Sequence, residues 1–101
     1  MTLGVGPRPG PDGLPRIGVL GPGRVGQSVT RALAAAGVDL SGIAGRDPDR
    51  VAAAAARLGI DAITPVELLG RSDLVLVTVP DQQIAAVAHR LADLLPTARR
   101  R

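Results

Sequence analysis

The chain of 101 residues contains no cysteine, no lysine and no phenylalanine, tyrosine or tryptophan, and it has a single histidine and a single methionine. Without cysteine there are no disulfides, no thiolate metal sites and no cysteine nucleophile. His89 has no cluster of ligating partners along the sequence, which argues against a metal centre. The absence of rings removes the platform on which single-stranded nucleic acids stack their bases. No apolar run approaches the roughly 18 residues that a membrane span requires. The N-terminus carries no apolar signal segment, so the expected location is cytoplasmic.

All 12 basic residues are arginine, and the net charge is +3. Three of these charges sit together at Arg99, Arg100 and Arg101. The rest of the chain is close to neutral, so the basic balance does not mark a nucleic-acid-binding face. Neither nucleic acid nor membrane is an expected partner.

Hydrophobic residues make up 46% of the chain, mostly Ala, Val, Leu and Ile. Such small aliphatic side chains suit a parallel sheet covered by Ala-rich helices. The length predicts one domain. Residues 1–15 are rich in Gly and Pro, which predicts a disordered arm before a domain over 16–95 and a basic tail over 96–101.

Along the domain, Ile17 to Leu20 reads as a strand and Arg24 to about Ala36 as a helix with Gly37 behind its end. Leu40 to Ala44 reads as a second strand. Asp47 and Pro48 then open a helix that stops at Gly59. Asp61 to Ile63 is a short third strand, followed by the capping box Thr64-Pro65-Val66-Glu67 and a brief helix ending near Gly70. Leu74 to Val79 is nearly all apolar, as expected of a strand buried on both faces. Asp81 is placed to cap a last helix that ends at Pro96, with Ile84, Val87, Ala88, Leu91 and Leu95 as its apolar stripe. Strands and helices thus alternate. The predicted class is α/β, a doubly wound parallel sheet of about four strands in the order 3-2-1-4.

The first strand runs into Gly21-Pro22-Gly23-Arg24-Val25-Gly26, which matches G-x-G-x-x-G. Each glycine has its own task in such a turn. Gly21 allows a sharp turn, Gly23 allows a close approach to phosphate, and Gly26 allows the helix to pack against the strand. The following helix directs its free N–H groups and positive dipole end at a pyrophosphate. A tight turn that binds nothing is the plain alternative. Ligands in this topology sit at the carboxyl ends of the strands, between the first and the fourth. Three segments end there: the glycine turn, Gly45-Arg46-Asp47 and Val79-Pro80-Asp81.

At the end of the second strand a neutral residue stands where NAD-binding domains usually carry an acid, and Arg46 follows directly. A guanidinium can hold a 2′-phosphate, and Arg50 lies one turn further on. The two arginines favour NADP over NAD, with ordinary solvated surface as the alternative. Asp47 fits a helix cap better than a ribose ligand. Arg24 either meets a phosphate or faces solvent. Val79 and Pro80 either wall the ribose and nicotinamide or simply end the strand.

The segments from Ile17 to Gly26, from Gly45 to Asp47 and from Asp73 to Asp81 together resemble a Rossmann-type domain of one group. That group comprises the pyrroline-5-carboxylate reductases, the 6-phosphogluconate and 3-hydroxyisobutyrate dehydrogenases and the deazaflavin-dependent NADP reductases. Within it the chain is most similar to a bacterial Rossmann-like oxidoreductase domain that precedes a helical domain of unknown function. The resemblance implies binding of NADP or NAD by Gly21, Pro22, Gly23, Arg24, Val25, Arg46, Val79 and Pro80. It brings no catalytic residue with it, because the substrate-binding groups of those enzymes lie after the fourth strand or in a C-terminal domain.

The sheet is therefore expected to be incomplete at the outer edge of the fourth strand. An open apolar edge invites pairing, either in a homodimer or with a domain missing from a truncated product. The expected function is the NAD(P)-binding domain of an oxidoreductase without its catalytic domain. The alternative is a non-catalytic dinucleotide module, a sensor or a partner subunit. A purely structural domain comes third.

Overall fold

Three short strands form the parallel centre: β2 (Ile17–Leu20), β3 (Leu40–Ala44) and β4 (Leu74–Val77). Each is too short to stand alone, and each buries residues on alternate sides as the pleat requires. Val19 and Ile43 point to one face, while Leu20, Ala44, Val75 and Val77 point to the other. A computed structural model describes residues 2–4 and 15–99, with side chains over 15–98. In it β2 lies between β3 and β4, parallel to both.

The helices divide between the faces. Val51, Ala54 and Ala55 of α2 (Pro48–Leu58) close over Val19 and Ile43. On the opposite side α3 (Pro65–Arg71) and α4 (Ile84–Arg99) bring Leu68, Leu69, Leu91 and Ala98 onto Leu20, Val75 and Val77. The helix α1 (Arg24–Ala35) follows the glycine turn and buries only Gly26 and Thr30. Each fully buried Val, Leu or Ile contributes about 1.5–3 kcal/mol.

Local chemistry sets the helix ends as the residues predict. Asp47 Oδ1 accepts from the N–H groups of Asp49 (3.0 Å) and Arg50 (3.4 Å). At the other end of α2, Gly59 takes a left-handed φ of 70°. The capping box is complete: Glu67 N–H donates to Thr64 Oγ1 (3.1 Å) and Thr64 N–H to Glu67 Oε1 (3.0 Å). After α1, Val38 N–H reaches Leu33 O and Gly37 N–H reaches Ala34 O, both at 3.0 Å, with Gly37 at φ 80°.

Six expectations need correction. The strand expected at 61–63 shrinks to a single bridge between Ala62 and Ile43, because only Ile63 of the three is buried and the Thr64 cap starts a helix at once. The order 3-2-1-4 survives with that bridge in the third strand's place. The parallel sheet of three strands is incomplete as expected, but the outer edge of β4 is not open. Thr2–Gly4 forms β1 and pairs with it antiparallel, Leu3 opposite Val75. These residues precede the first proline and keep the N–H groups that an edge needs. The arm is therefore not irregular throughout, and the open-edge argument for a dimer falls away. The remainder of the arm, residues 5–14, lies outside the described residues, as do Arg100 and Arg101 of the tail.

The last helix does not stop at Pro96. It runs to Arg99, and Ala98 beyond the proline is 2% exposed and closes on the core. Asp81 is not a side-chain cap. It begins a 3-10 turn, Asp81–Gln83, and its backbone carbonyl accepts from Ile84 N–H. Finally, β4 ends at Val77, and its Leu74 and Leu76 are half-buried, so only the face under α3 and α4 is fully covered.

Candidate functional site

The glycine turn is clamped from three sides. Gly21 stands at φ 125°, a backbone region that disfavours L side chains. Its N–H donates to Ala44 O at 2.8 Å, tying the turn to β3. Thr78, just past β4, donates its N–H to Leu20 O at 2.8 Å. The Thr78 hydroxyl lies 3.1 Å from Leu20 O and 3.3 Å from Gly21 O, so it secures the turn from the other neighbouring strand. Gln27 Nε2 donates to Pro22 O at 2.9 Å.

The three glycines separate by role as the motif predicts. A Cβ on Gly26 would collide with the Gly21 carbonyl and sit 2.7 Å from Thr78 Oγ1, so this glycine seats α1 on the turn. A Cβ on Gly23 would meet nothing within 4 Å. Gly23 is the N-cap of α1, no side chain caps it, and the first turn holds no acid. Among the described residues the helix end thus keeps its N–H groups free of a side-chain cap, together with its partial positive charge. These are the conditions that a dinucleotide pyrophosphate needs, and the residues present fit one.

Two cavities meet at this turn. The larger, about 630 Å³, lies between the turn, the β3–α2 connection and α4. Of the sequence-derived candidates, Gly21, Pro22, Gly23, Arg46, Arg50, Val79 and Pro80 line it together. The smaller, about 620 Å³, lies on the α1 side of β4 and holds Arg24 and Val25. Both cavities share Gly23, Thr78, Val79 and Pro80. Gly26 lines neither and acts behind the turn. Val25 is 64% exposed, which leaves an apolar side chain open at the mouth of the smaller cavity.

Sequence reasoning missed Thr78 and Arg90, and named Gly45 only as part of a segment that ends at the site. Thr78 is the one polar residue in the run from Leu74 to Val79, and that interruption was a readable signal. Gly45 allows contact between loops, since its Cβ would lie 2.8 Å from Pro22 Cδ and 3.1 Å from Val51 Cγ2. Arg90 reaches the larger cavity from α4, one turn beyond Val87. His89 is exposed and lines neither cavity. Among the described residues no group of three or more His, Asp or Glu is placed to hold a metal ion. Among them, too, no helix is long and apolar enough to cross a membrane.

Comparison with known proteins agrees with this geometry. A solved structure of UDP-N-acetylglucosamine 3-dehydrogenase GnnA from Acidithiobacillus ferrooxidans is similar over 79% of this chain and 26% of its own, with 28% identity and a TM-score of 0.61. A second crystal form of that enzyme gives the same values. The chain thus spans about a quarter of that protein's length. No curated protein matches it. The model of a family described as NADP oxidoreductase, coenzyme F420-dependent, matches residues 16–98. The chain belongs to that family, as a Rossmann-like NAD(P)-binding domain of the oxidoreductase type.

Proposed function

We propose that the chain binds NADP(H) in preference to NAD(H), as the cofactor-binding part of an oxidoreductase whose substrate groups come from another domain or chain. One observation carries this reading. Arg46 and Arg50 line the cavity that opens from the uncapped glycine turn, and neither has an ion-pair or hydrogen-bonding side-chain partner among the described residues. Gly21, Pro22, Gly23 and the N-terminus of α1 hold the pyrophosphate. Arg46 and Arg50 take the 2′-phosphate, because guanidinium groups bind phosphate through paired N–H donors.

Val79 and Pro80 wall the smaller cavity, where the nicotinamide end lies, and Arg24 and Val25 border it. The nicotinamide supplies hydride transfer, and the residues of this chain bind and orient it. A non-catalytic dinucleotide module is the second reading. It draws support from His89, which lies outside both cavities, and from the lack of lysine.

The test is a titration of the purified chain with NADPH and NADH, followed by calorimetry or nicotinamide fluorescence. NADPH should bind at micromolar concentration or better. Arg46→Ala should weaken NADPH about tenfold and leave NADH nearly unchanged, the loss of one charge-assisted contact. Gly23→Ala should abolish binding of both while leaving the thermal midpoint in place, since its Cβ meets no protein atom. Tighter binding of NADH would refute the 2′-phosphate assignment. No binding of either dinucleotide by a folded chain would refute the reading as a whole.

A further inference from the structure

We infer that Arg90 is a third guanidinium that reads the 2′-phosphate, so that cofactor choice is set from both walls of the larger cavity rather than from the end of β3 alone. The inference rests on the binding reading above. Arg46 and Arg50 stand on the wall made by the β3–α2 connection and the first turn of α2. Arg90 stands on the opposing wall made by α4. Gln83, Val87 and Arg90 line the cavity at spacings of four and three, so one face of this segment is turned to it.

The charge balance of the cavity supports the assignment. Outside the cavity Arg16 pairs with Asp39 at 3.1 Å and Arg71 with Glu67 at 2.9 Å, while Arg24, Arg31 and Arg57 pair with no acid among the described residues. Among the described residues Arg46, Arg50 and Arg90 pair with none. Among the described residues Asp47 is the only carboxylate on the cavity wall, and its Oδ1 is engaged by the N–H groups that open α2. Three free guanidiniums against one occupied carboxylate leave a surplus of positive charge. That surplus suits a phosphate monoester, which carries up to two negative charges and can accept from several donors at once. A ribose with free hydroxyls would make no comparable use of a third cation.

The experiment titrates the intact chain with 2′,5′-ADP, 5′-AMP, NADPH and NADH, comparing the wild type with Arg90→Gln and Arg90→Lys. Arg90 is exposed, so both variants should unfold at the wild-type temperature. Arg90→Gln should weaken 2′,5′-ADP and NADPH about five- to tenfold and change 5′-AMP and NADH less than about twofold. Arg90→Lys should restore part of the loss, because it keeps the charge without the planar fork. An equal loss for all four ligands would overturn the inference, since Arg90 would then act on the base or on cavity shape. Unchanged binding of 2′,5′-ADP would overturn it too. A wild type that binds neither NADPH nor NADH would instead refute the underlying reading, and this inference with it.

Discussion

The two cavities on either side of Thr78, Val79 and Pro80 have nearly the same volume, about 630 and 620 Å³, and both are walled largely by apolar residues, but they differ in the charges around them. Three arginines and one carboxylate stand around the larger. Around the smaller, Arg24 and Asp81 offset each other, and Val25, Val29, Leu76 and Ile84 make the wall apolar. Their floor is common, built from the glycine turn and the end of β4. The difference therefore comes from the outer walls: the β3–α2 connection and α4 on one side, α1 and the 3-10 turn on the other. On the proposed reading the motif sets where a dinucleotide crosses the sheet, the walls set which end lies on which side, and the cavity with three arginines takes the phosphorylated adenosine.

The severest way to break the comparison is to remove the common floor. Gly26→Ala would drive a methyl group into the Gly21 carbonyl and Thr78 Oγ1, neither of which can yield without moving α1 or the turn. Overpacking of this kind costs about 1–3 kcal/mol. Denaturant unfolding should register that loss, and NADPH and NADH affinities should fall together. Wild-type stability would mean that α1 can shift without cost.

A milder change is Thr78→Val, which deletes the hydroxyl over Leu20 O and Gly21 O but keeps the shape. Stability should drop by about 1 kcal/mol, the net worth of one hydrogen bond. Both nucleotides should weaken to the same degree, because both cavities share this floor. Unequal weakening would show that Thr78 serves one cavity alone.

The smallest effect sharpens the comparison. Val25→Ser alters only the mouth of the apolar cavity at an exposed site, so stability should stay within about 0.5 kcal/mol. On the proposed reading NADPH should weaken a few-fold while 2′,5′-ADP, which lacks the nicotinamide end, binds as before. A matching loss for 2′,5′-ADP would show that the two cavities do not hold separate ends.

Much of this was legible in the residues. The strand order, the Asp47 and Thr64 caps and the separate tasks of Gly21 and Gly26 rest on local steric and hydrogen-bonding rules, which act within a few positions. Arg46 and Arg50 were visible because they follow the second strand directly. Arg90 was not. It lines the cavity through the packing of α4 on α3 and β4, and the arginines it shares the cavity with lie about 40 positions earlier. The edge strand β1 was hidden for the same reason, since its partner β4 begins about 70 positions later.

By itself the sequence determined the alternating α/β order, the glycine turn between β2 and α1 and the ends of α1, α2 and α3. Glycine φ freedom, proline's missing N–H and side-chain caps are properties of the local chain. Only the tertiary structure decided that β4 has an antiparallel neighbour, that α4 runs past Pro96 and that three arginines gather around one of the two cavities at the turn. Those outcomes depend on which distant surfaces meet. Ala98 is buried because α3 and α4 converge on the core, and three arginines share a cavity because two separate walls close on the same turn.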